Sequence, residues 1–234
     1  MRETLNQRTD SQALMQAMMA ARLTPEMTLY DVGCGEKPFA AFLKGRVAAH
    51  VGVDVDYGFY DTRHIDLIGS ADALPMADGS VDAILSSQVI EHLPDPEKAI
   101  AEAARVLKPG GLLFLSYPYL YPIHAPPWDF ARLSEFAMDR MLTAHGLELV
   151  ERRTLGGFWY LLGAVTPIYL NGLPPLRALR LGGAFGWVAR TLCRGLHGLE
   201  AASLRLMKRD VAASRMAWAV TYVLTARRSE TRTP

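Results

Sequence analysis

TLYDVGCGEKPF (Thr28–Phe39) is the stretch on which the fold turns. Its first five residues read as a buried strand, which stops at Gly33-Cys34-Gly35. Glycines there let the backbone turn sharply and let a ligand approach the main chain before a helix begins, here from about Phe39 to Leu43. A G-x-G pair alone is weak, because tight turns use it too. The next strand, HVGVDV (50–55), strengthens the reading: Asp54 lies near its end, 19 residues beyond Gly35. An acid at that place accepts hydrogen bonds from both hydroxyls of a ribose. A dinucleotide site wants a third glycine at position 38, and Pro38 stands there. A nucleoside without phosphates therefore fits this turn better than a diphosphate, and a nicotinamide-dependent reductase is disfavoured.

Outward from the loop, strand and helix alternate. RHIDLIG (63–69) reads as a third strand, and VDAILSS (81–87), after the turn ADGS, as a fourth that is covered on both faces. Asp95 as N-cap with Pro96 at the first helical position opens the clearest helix, which ends at Lys108-Pro109-Gly110-Gly111. LLFLSYP (112–118) follows as the fifth strand, then a helix from Ser134 to His145 and a sixth strand, LELVERRTL (147–155). AWAVTYVLTARR (217–228) reads as a seventh strand. This alternation predicts an α/β fold, a parallel sheet with crossover helices on both faces. Ahead of it, Ser11 is placed to cap a short helix whose Leu14, Met15, Met18 and Met19 share one face.

DVGCG, GVDVD and GSADALPMADGSVDAILSSQVIEHLPDPEKAIAEAARVLKPGG occur in that order. Over residues 28 to about 155 the chain resembles class I S-adenosylmethionine-dependent methyltransferases of the methyltransferase type 11-like family. The resemblance implies a Rossmann-like, seven-stranded, mostly parallel sheet with helices on both faces and an antiparallel last strand. It implies S-adenosylmethionine as cofactor, with Asp31, Gly33 and Gly35 along its methionine part and Asp54 at the ribose hydroxyls. Cys34 and Val55 fall among the same cofactor-binding positions. Ser70 stands where the family carries an acid for the adenine amino group, leaving Asp72 to serve instead; the Ala71 amide faces the adenine ring. Gln88 approaches the cofactor from below. Lys37 replaces a common third glycine and alters the pocket for the methionine carboxylate.

The stretch YPYLYPIHAPPWDFARLS (117–134) follows the fifth strand, on the side where open α/β sheets bind ligands. It is aromatic and proline-stiffened, and resembles the loop of a bacterial subgroup of these enzymes. Here His124 is the candidate base, Asp129 its orienting partner or a hydroxyl acceptor, and Arg132 an anion contact, with Tyr119 and Trp128 as further substrate contacts. The bland alternative pairs Asp129 with Arg132 to fix the loop. His92, in QVIEHLP, is the other catalytic candidate. Some quinone-biosynthesis methyltransferases use a Glu-x-x-Glu-His run for a metal; with Gln88 in place of the first Glu, no metal is expected.

Between the sixth and seventh strands stand about sixty residues, 156–216, where this fold usually has a short turn. They begin with a charge-free run, Thr154 to Leu176, and continue with eight Lys/Arg against Glu200 and Asp210. Leu176, Leu179, Phe185, Val188, Leu192, Leu196, Leu199, Leu204 and Met207 are interleaved, predicting amphipathic helices. The run is long enough to span a bilayer, but Gly156, Gly157, Gly163, Pro167, Gly172, Pro174 and Pro175 break it, and both ends must return to one sheet. An interfacial hairpin on anionic lipid, a cap over the acceptor pocket, a dimer contact and a solvated helical lid all remain open. Nucleic acid is a weaker partner, because no recognised binding module accompanies the basic run.

The charge division fits two surfaces. Residues 1–150 hold 12 Lys/Arg against 20 Asp/Glu, and residues 151–234 hold 13 against 4, although the whole chain carries only +1. Mutual attraction between the two parts is the simpler explanation. Cys34 and Cys193 have no zinc or disulfide spacing, and residues 1–12 lack the apolar run of a signal peptide, so a cytoplasmic protein, peripheral on the inner membrane face, is expected. The expected organisation is a helical segment (1–27), a cofactor-binding core (28–155), the insertion (156–216) and a final strand with its tail (217–234). The expected activity is O-methylation of a small polar, glycan or lipid-linked acceptor. The alternatives are a lipophilic quinone-like acceptor or a non-catalytic cofactor-binding module.

Overall fold

In the computed structural model, residues 5–56, 62–173, 182–206 and 218–230 are described. TLYDV forms β1 (Thr28–Val32), and its neighbours are β2 (Ala49–Asp54) and β4 (Val81–Ser87), both parallel to it. The seven strands lie in the order β3-β2-β1-β4-β5-β7-β6, with β3 at Leu67–Ile68, β5 at Leu107–Pro118, β6 at Leu147–Gly156 and β7 at Ala219–Arg228. The last strand is antiparallel. Tyr119 N–H and Leu120 N–H donate to the carbonyls of Val220 and Ala219, and Ser229 and Gly157 donate to Gly146 and Trp218. Strand order reverses between β1 and β4, so the crevice at their carboxyl ends is the natural ligand site.

Both faces of the central strands are buried. On one face Leu29, Ala83, Leu85, Leu112 and Phe114 pack with Met15, Met18 and Met19 of α1 (Leu5–Ala20) and with Phe39 and Leu43 beside or within α2 (Ala40–Leu43). Alternation sends Ile84, Leu113 and Leu115 to the opposite face, where they are buried as well. There α3 (Pro96–Val106) packs on β5 and on α4 (Glu135–Ala144). The caps form as their residues dictate: Asp95 accepts from Lys98 N–H at 3.2 Å and Ser134 from Ala137 N–H at 3.3 Å.

Four local expectations are corrected. Ser11 is no cap: α1 starts at Leu5, and Ser11 lies buried inside it. The third strand is only Leu67–Ile68, preceded by a 3-10 turn at Thr62–His64. Lys108–Gly111 does not separate α3 from β5; the strand already begins at Leu107, and the register against β4 jumps from Val81↔Leu107 to Ala83↔Leu112. The four residues are an outward bulge, eased by Gly110 at φ +79°. Finally, Gly163 and Pro167 do not break the apolar run, because α5 (Phe158–Gly172) passes through both. The amide that Pro167 lacks would have bonded the carbonyl of Gly163.

Two units are distinguished, one of Gln12–Pro118, Ala125–Arg153 and Val223–Pro234, the other of Met1–Ser11, Tyr119–His124 and Thr154–Tyr222. The first carries the parallel strands. The second is mainly helical and contains α5 and α6 (Gly182–Leu206), which pack along each other. Within it Tyr160 donates its hydroxyl to Asp10 Oδ2 at 3.0 Å, and its ring meets His197 edge-on at 5.9 Å. Burial and then the Asp10 charge raise the Tyr160 phenol pKa. Leu176, Leu179 and Met207, and the basic residues 177, 180, 208, 209 and 215, lie outside the described residues. No described helix is long and apolar enough to cross a membrane.

Candidate cofactor and acceptor site

β1 ends in the sharp turn that its glycines allow. Gly33 has φ +73°, and a Cβ there would stand 2.3 Å from Val89 Cγ2 and 2.9 Å from Cγ1. Only a glycine lets this loop lie against the segment that follows β4. Gly35 has φ +48° with nothing within 4 Å of where its Cβ would be, so its outer side is open. The loop is held to β2 by Gly33 N–H on the Val53 carbonyl at 2.8 Å and by Gly35 N–H on Asp54 Oδ2 at 2.8 Å. Asp54 Oδ1 accepts from Val55 N–H, also at 2.8 Å. A carboxylate has about four acceptor positions, so each oxygen keeps a lone pair for a hydroxyl donor. Open space beside the loop and an acid with spare acceptors suit a ribose-bearing ligand.

Lys37 does not crowd that space with its charge. Its backbone takes φ +49°, and its ammonium reaches Asp66 Oδ2 at 2.5 Å, on the same oxygen that accepts Gly52 N–H at 2.6 Å. Those two bonds, the lysine's first, hold the Asp66 carboxyl below its ordinary range. Gly52 makes the passage possible: a Cβ there would be 2.4 Å from Lys37 Cε and 2.6 Å from the His64 carbonyl oxygen. Sequence reading missed both Gly52 and Asp66; the glycine inside an apolar strand was the available signal.

Asp31, 3% exposed, is bonded to His50 Nε2 at 3.0 Å on the adjacent strand. Burial pushes its carboxyl pKa upward, with His50 opposing. Burial likewise pushes the Cys34 thiol up to about 12, which keeps it protonated and no nucleophile near neutrality. Gly69 N–H bonds the Asp54 carbonyl at 3.0 Å and so hangs the following segment beside β2. In that segment Ser70 Oγ donates to Asp72 Oδ1 at 2.5 Å, and Lys98 Nζ is 3.8 Å from Asp72 Oδ2. The two adenine-side candidates thus form one polar unit next to Ala71. Gln88 bends at φ +59°, its amide on the Ser116 carbonyl at 2.9 Å and its side chain on Ser116 Oγ at 3.2 Å.

The acceptor-side residues divide between the two units. In the first, the Glu91 carbonyl accepts the Phe130 and Ala131 amides at 2.8 and 3.3 Å, and His92 Nδ1 meets the Trp128 carbonyl at 2.5 Å. A carbonyl only accepts, so Nδ1 carries a proton and the other ring nitrogen is Nε2. That nitrogen lies 3.8 Å from Glu91 Oε1. Asp129 is paired with Arg132 in a two-point contact of 2.5 and 2.7 Å, the geometry of the strong guanidinium–carboxylate pair. Trp128 and Phe130 stay half exposed, with ring centroids 6.3 Å apart. In the second unit, His124 lies edge-on to Tyr121 at 5.6 Å, and Tyr119 packs on Tyr222 at 5.7 Å.

Residues 30–115 match a family model described as a methyltransferase domain. An uncharacterized methyltransferase of Mycobacteroides abscessus is 42% identical over 101 residues, 38% of this chain and 39% of that relative. A protein of Mycolicibacterium smegmatis, named a probable S-adenosylmethionine-dependent methyltransferase, is 32% identical over 149 residues, 55% of this chain and 54% of its own. The chain thus spans between two fifths and just over half the length of these curated relatives. Among solved structures, the geranyl diphosphate C-methyltransferase of Streptomyces coelicolor, in complex with magnesium, geranyl-S-thiolodiphosphate and S-adenosyl-L-homocysteine, shares the fold. Its TM-score is 0.55 at 17% identity, over 94% of this chain and 76% of that one. The glycine loop clamped to Asp54, the strand order and these likenesses agree: residues 30–115 match a methyltransferase domain, and the chain is similar to proteins of the S-adenosylmethionine-dependent class.

Proposed function

We propose that the chain transfers a methyl group from S-adenosylmethionine to an oxygen atom of a small polar, glycan or lipid-linked acceptor. The observation that carries this reading is the Asp54 clamp. One carboxylate fixes the glycine loop of β1 to the end of β2 and retains acceptors for ribose hydroxyls. The bound cofactor supplies an already activated methyl on a positively charged sulfur, so the protein's task is alignment. Holding donor and acceptor in line contributes about 7–11 kcal/mol to such a reaction.

In this reading Gly33, Cys34 and Gly35 border the methionine part with Asp31 behind them, and Asp54 and Val55 hold the ribose. Ser70, Ala71 and Asp72 flank the adenine, and Gln88 supports the cofactor from below. Arg132 retains charge for an acceptor anion, while Trp128 and Tyr119 supply aromatic surface. His92 Nε2 or His124 receives the acceptor's proton, an aid worth about 10²–10⁴-fold. Asp129 holds Arg132 in place rather than serving as a free base.

Calorimetry with S-adenosylmethionine on the wild type and Asp54→Ala tests the cofactor half. Binding that is absent, or indifferent to this substitution, sinks the reading. Transfer of labelled methyl to a lipid or glycan extract tests the acceptor half, and no label in any fraction favours a non-catalytic cofactor-binding module.

A further inference from the structure

α6 has two apolar faces, and among the described residues only one of them is covered. Gly186 and Cys193 are buried, and Ala189, Leu196, His197 and Leu204 are half buried. Phe185, Val188, Leu192, Leu199 and Leu206 recur at steps of three, four, seven and seven residues and are between 51% and 86% exposed. At about 100° per residue these five fall in one stripe. It runs about 30 Å along the helix. Trp187, Arg194 and Arg205 are also exposed and share a second line, about a third of a turn from that stripe. A helix of an ordinary soluble protein turns its one apolar stripe to the core and leaves polar residues outside. Here large apolar side chains stand outside, with an indole and two guanidinium groups about a third of a turn away.

Charge identifies what covers this face. Residues 156–216 carry eight Lys/Arg against Glu200 and Asp210, and the only acid of α6 is Glu200. A second copy of the chain would bring the same positive charge against itself. Nucleic acid satisfies the arginines and leaves the leucine stripe in water. An anionic lipid surface meets both demands, since an interfacial helix buries its apolar face at the acyl boundary while cations and tryptophan lie at headgroup level. Such a surface would carry α6 along it rather than across it, because no described helix is long and apolar enough to span.

We infer that α6 is a lipid-docking helix, its Phe185–Leu206 stripe seated in the outer layer of a membrane rich in anionic phospholipid, with Arg194 and Arg205 on the headgroups. This stands independently of which acceptor is methylated. Flotation of the full chain with phosphatidylcholine vesicles, with and without phosphatidylglycerol, tests it. The protein is expected to float with the phosphatidylglycerol vesicles, to stay behind with phosphatidylcholine alone, and to be released by salt. Arg194→Gln and Arg205→Gln each weaken flotation about fivefold, as expected for one cation near an anionic surface. The Leu192→Gln/Leu199→Gln double variant abolishes it, while cofactor binding confirms that the fold is kept. Wild type that ignores both vesicles overturns the proposal, as does a double variant that floats like wild type. A dimer in sedimentation that Leu199→Gln dissociates also overturns it, because the stripe then belongs to a second copy.

Discussion

Gly35 and Asp54, on different strand ends 19 residues apart, are joined by a 2.8 Å bond from the glycine amide to Oδ2. The other oxygen, Oδ1, accepts from Val55 N–H, so one side chain organises two backbone turns. Asp54→Ala removes both bonds together with the acceptors proposed for the ribose. Hydrogen bonds to a charged group contribute about 1.5–3 kcal/mol each. Affinity for S-adenosylmethionine is expected to fall more than tenfold by calorimetry, with the chain still folded by circular dichroism. Asp54→Asn, which keeps one acceptor oxygen, should fall between.

The two loop glycines should separate stability from binding. At Gly33 an added methyl meets Val89 at 2.3 Å, and the β-branched valine has little rotamer freedom to yield. Gly33→Ala is therefore expected to destabilise the chain by about 2–3 kcal/mol. At Gly35 the methyl meets nothing, so only the left-handed backbone resists, at about 1 kcal/mol. That methyl occupies the open side of the loop. Gly35→Ala should lower cofactor affinity more than its small loss in melting temperature would suggest, and unchanged affinity would place the cofactor elsewhere.

Most of the central architecture was legible because it rests on local signals. Val81–Ser87, the Asp95-Pro96 cap and the Gly33 turn each declare themselves within a few residues. What was missed depends on partners distant in sequence. Ser11 looks like a cap until α1 extends back to Leu5. Pro167 looks like a breaker, yet α5 continues past it to Gly172. Lys37 was read only as replacing a glycine and altering the methionine carboxylate pocket, because nothing local shows that Gly52 opens a path for it to Asp66. Asp129 and Arg132 do form the two-point pair that was one reading of this loop.

The Lys37–Asp66 pair gives a pH dependence with a definite sign. The folded Asp66 carboxyl lies below its ordinary range, chiefly through the lysine. Its contribution is therefore fully present above the unfolded value of about 3.9 and is lost as pH falls through the folded value. Thermal melts of wild type and Asp66→Asn should differ at neutral pH and converge in acid below that value. Lys37→Met should show the same convergence. A difference that persists unchanged into acid assigns the effect of Asp66 to something other than its charge.

His92 and His124 can be told apart by kinetics once an acceptor is in hand. In His92→Gln the side-chain amide can still donate to the Trp128 carbonyl, which keeps the loop attached. If His92 Nε2 takes the proton, kcat drops by about 10²–10⁴ with KM and cofactor affinity nearly unchanged. The same split in His124→Gln, with His92→Gln active, assigns the base to His124. A rise in KM alone marks the residue as a substrate contact.

The helical insertion should be removable. Gly157 N–H bonds the Trp218 carbonyl at 3.2 Å, and Ser229 N–H bonds the Gly146 carbonyl at 3.0 Å, which puts β6 and β7 in one antiparallel register. Their inner ends already face each other, as in a hairpin that lacks only its turn. An Asn-Gly pair joining Gly157 to Trp218 suits the twist of such strands. The residues proposed to bind the cofactor all come from Asp31–Gln88, outside the stretch removed. The shortened chain is expected to bind S-adenosylmethionine within a few-fold of wild type by calorimetry and to lose flotation with phosphatidylglycerol vesicles. If it instead fails to bind cofactor and melts without a cooperative transition, α5 and α6 are part of the folding core, and their apolar residues are explained by packing.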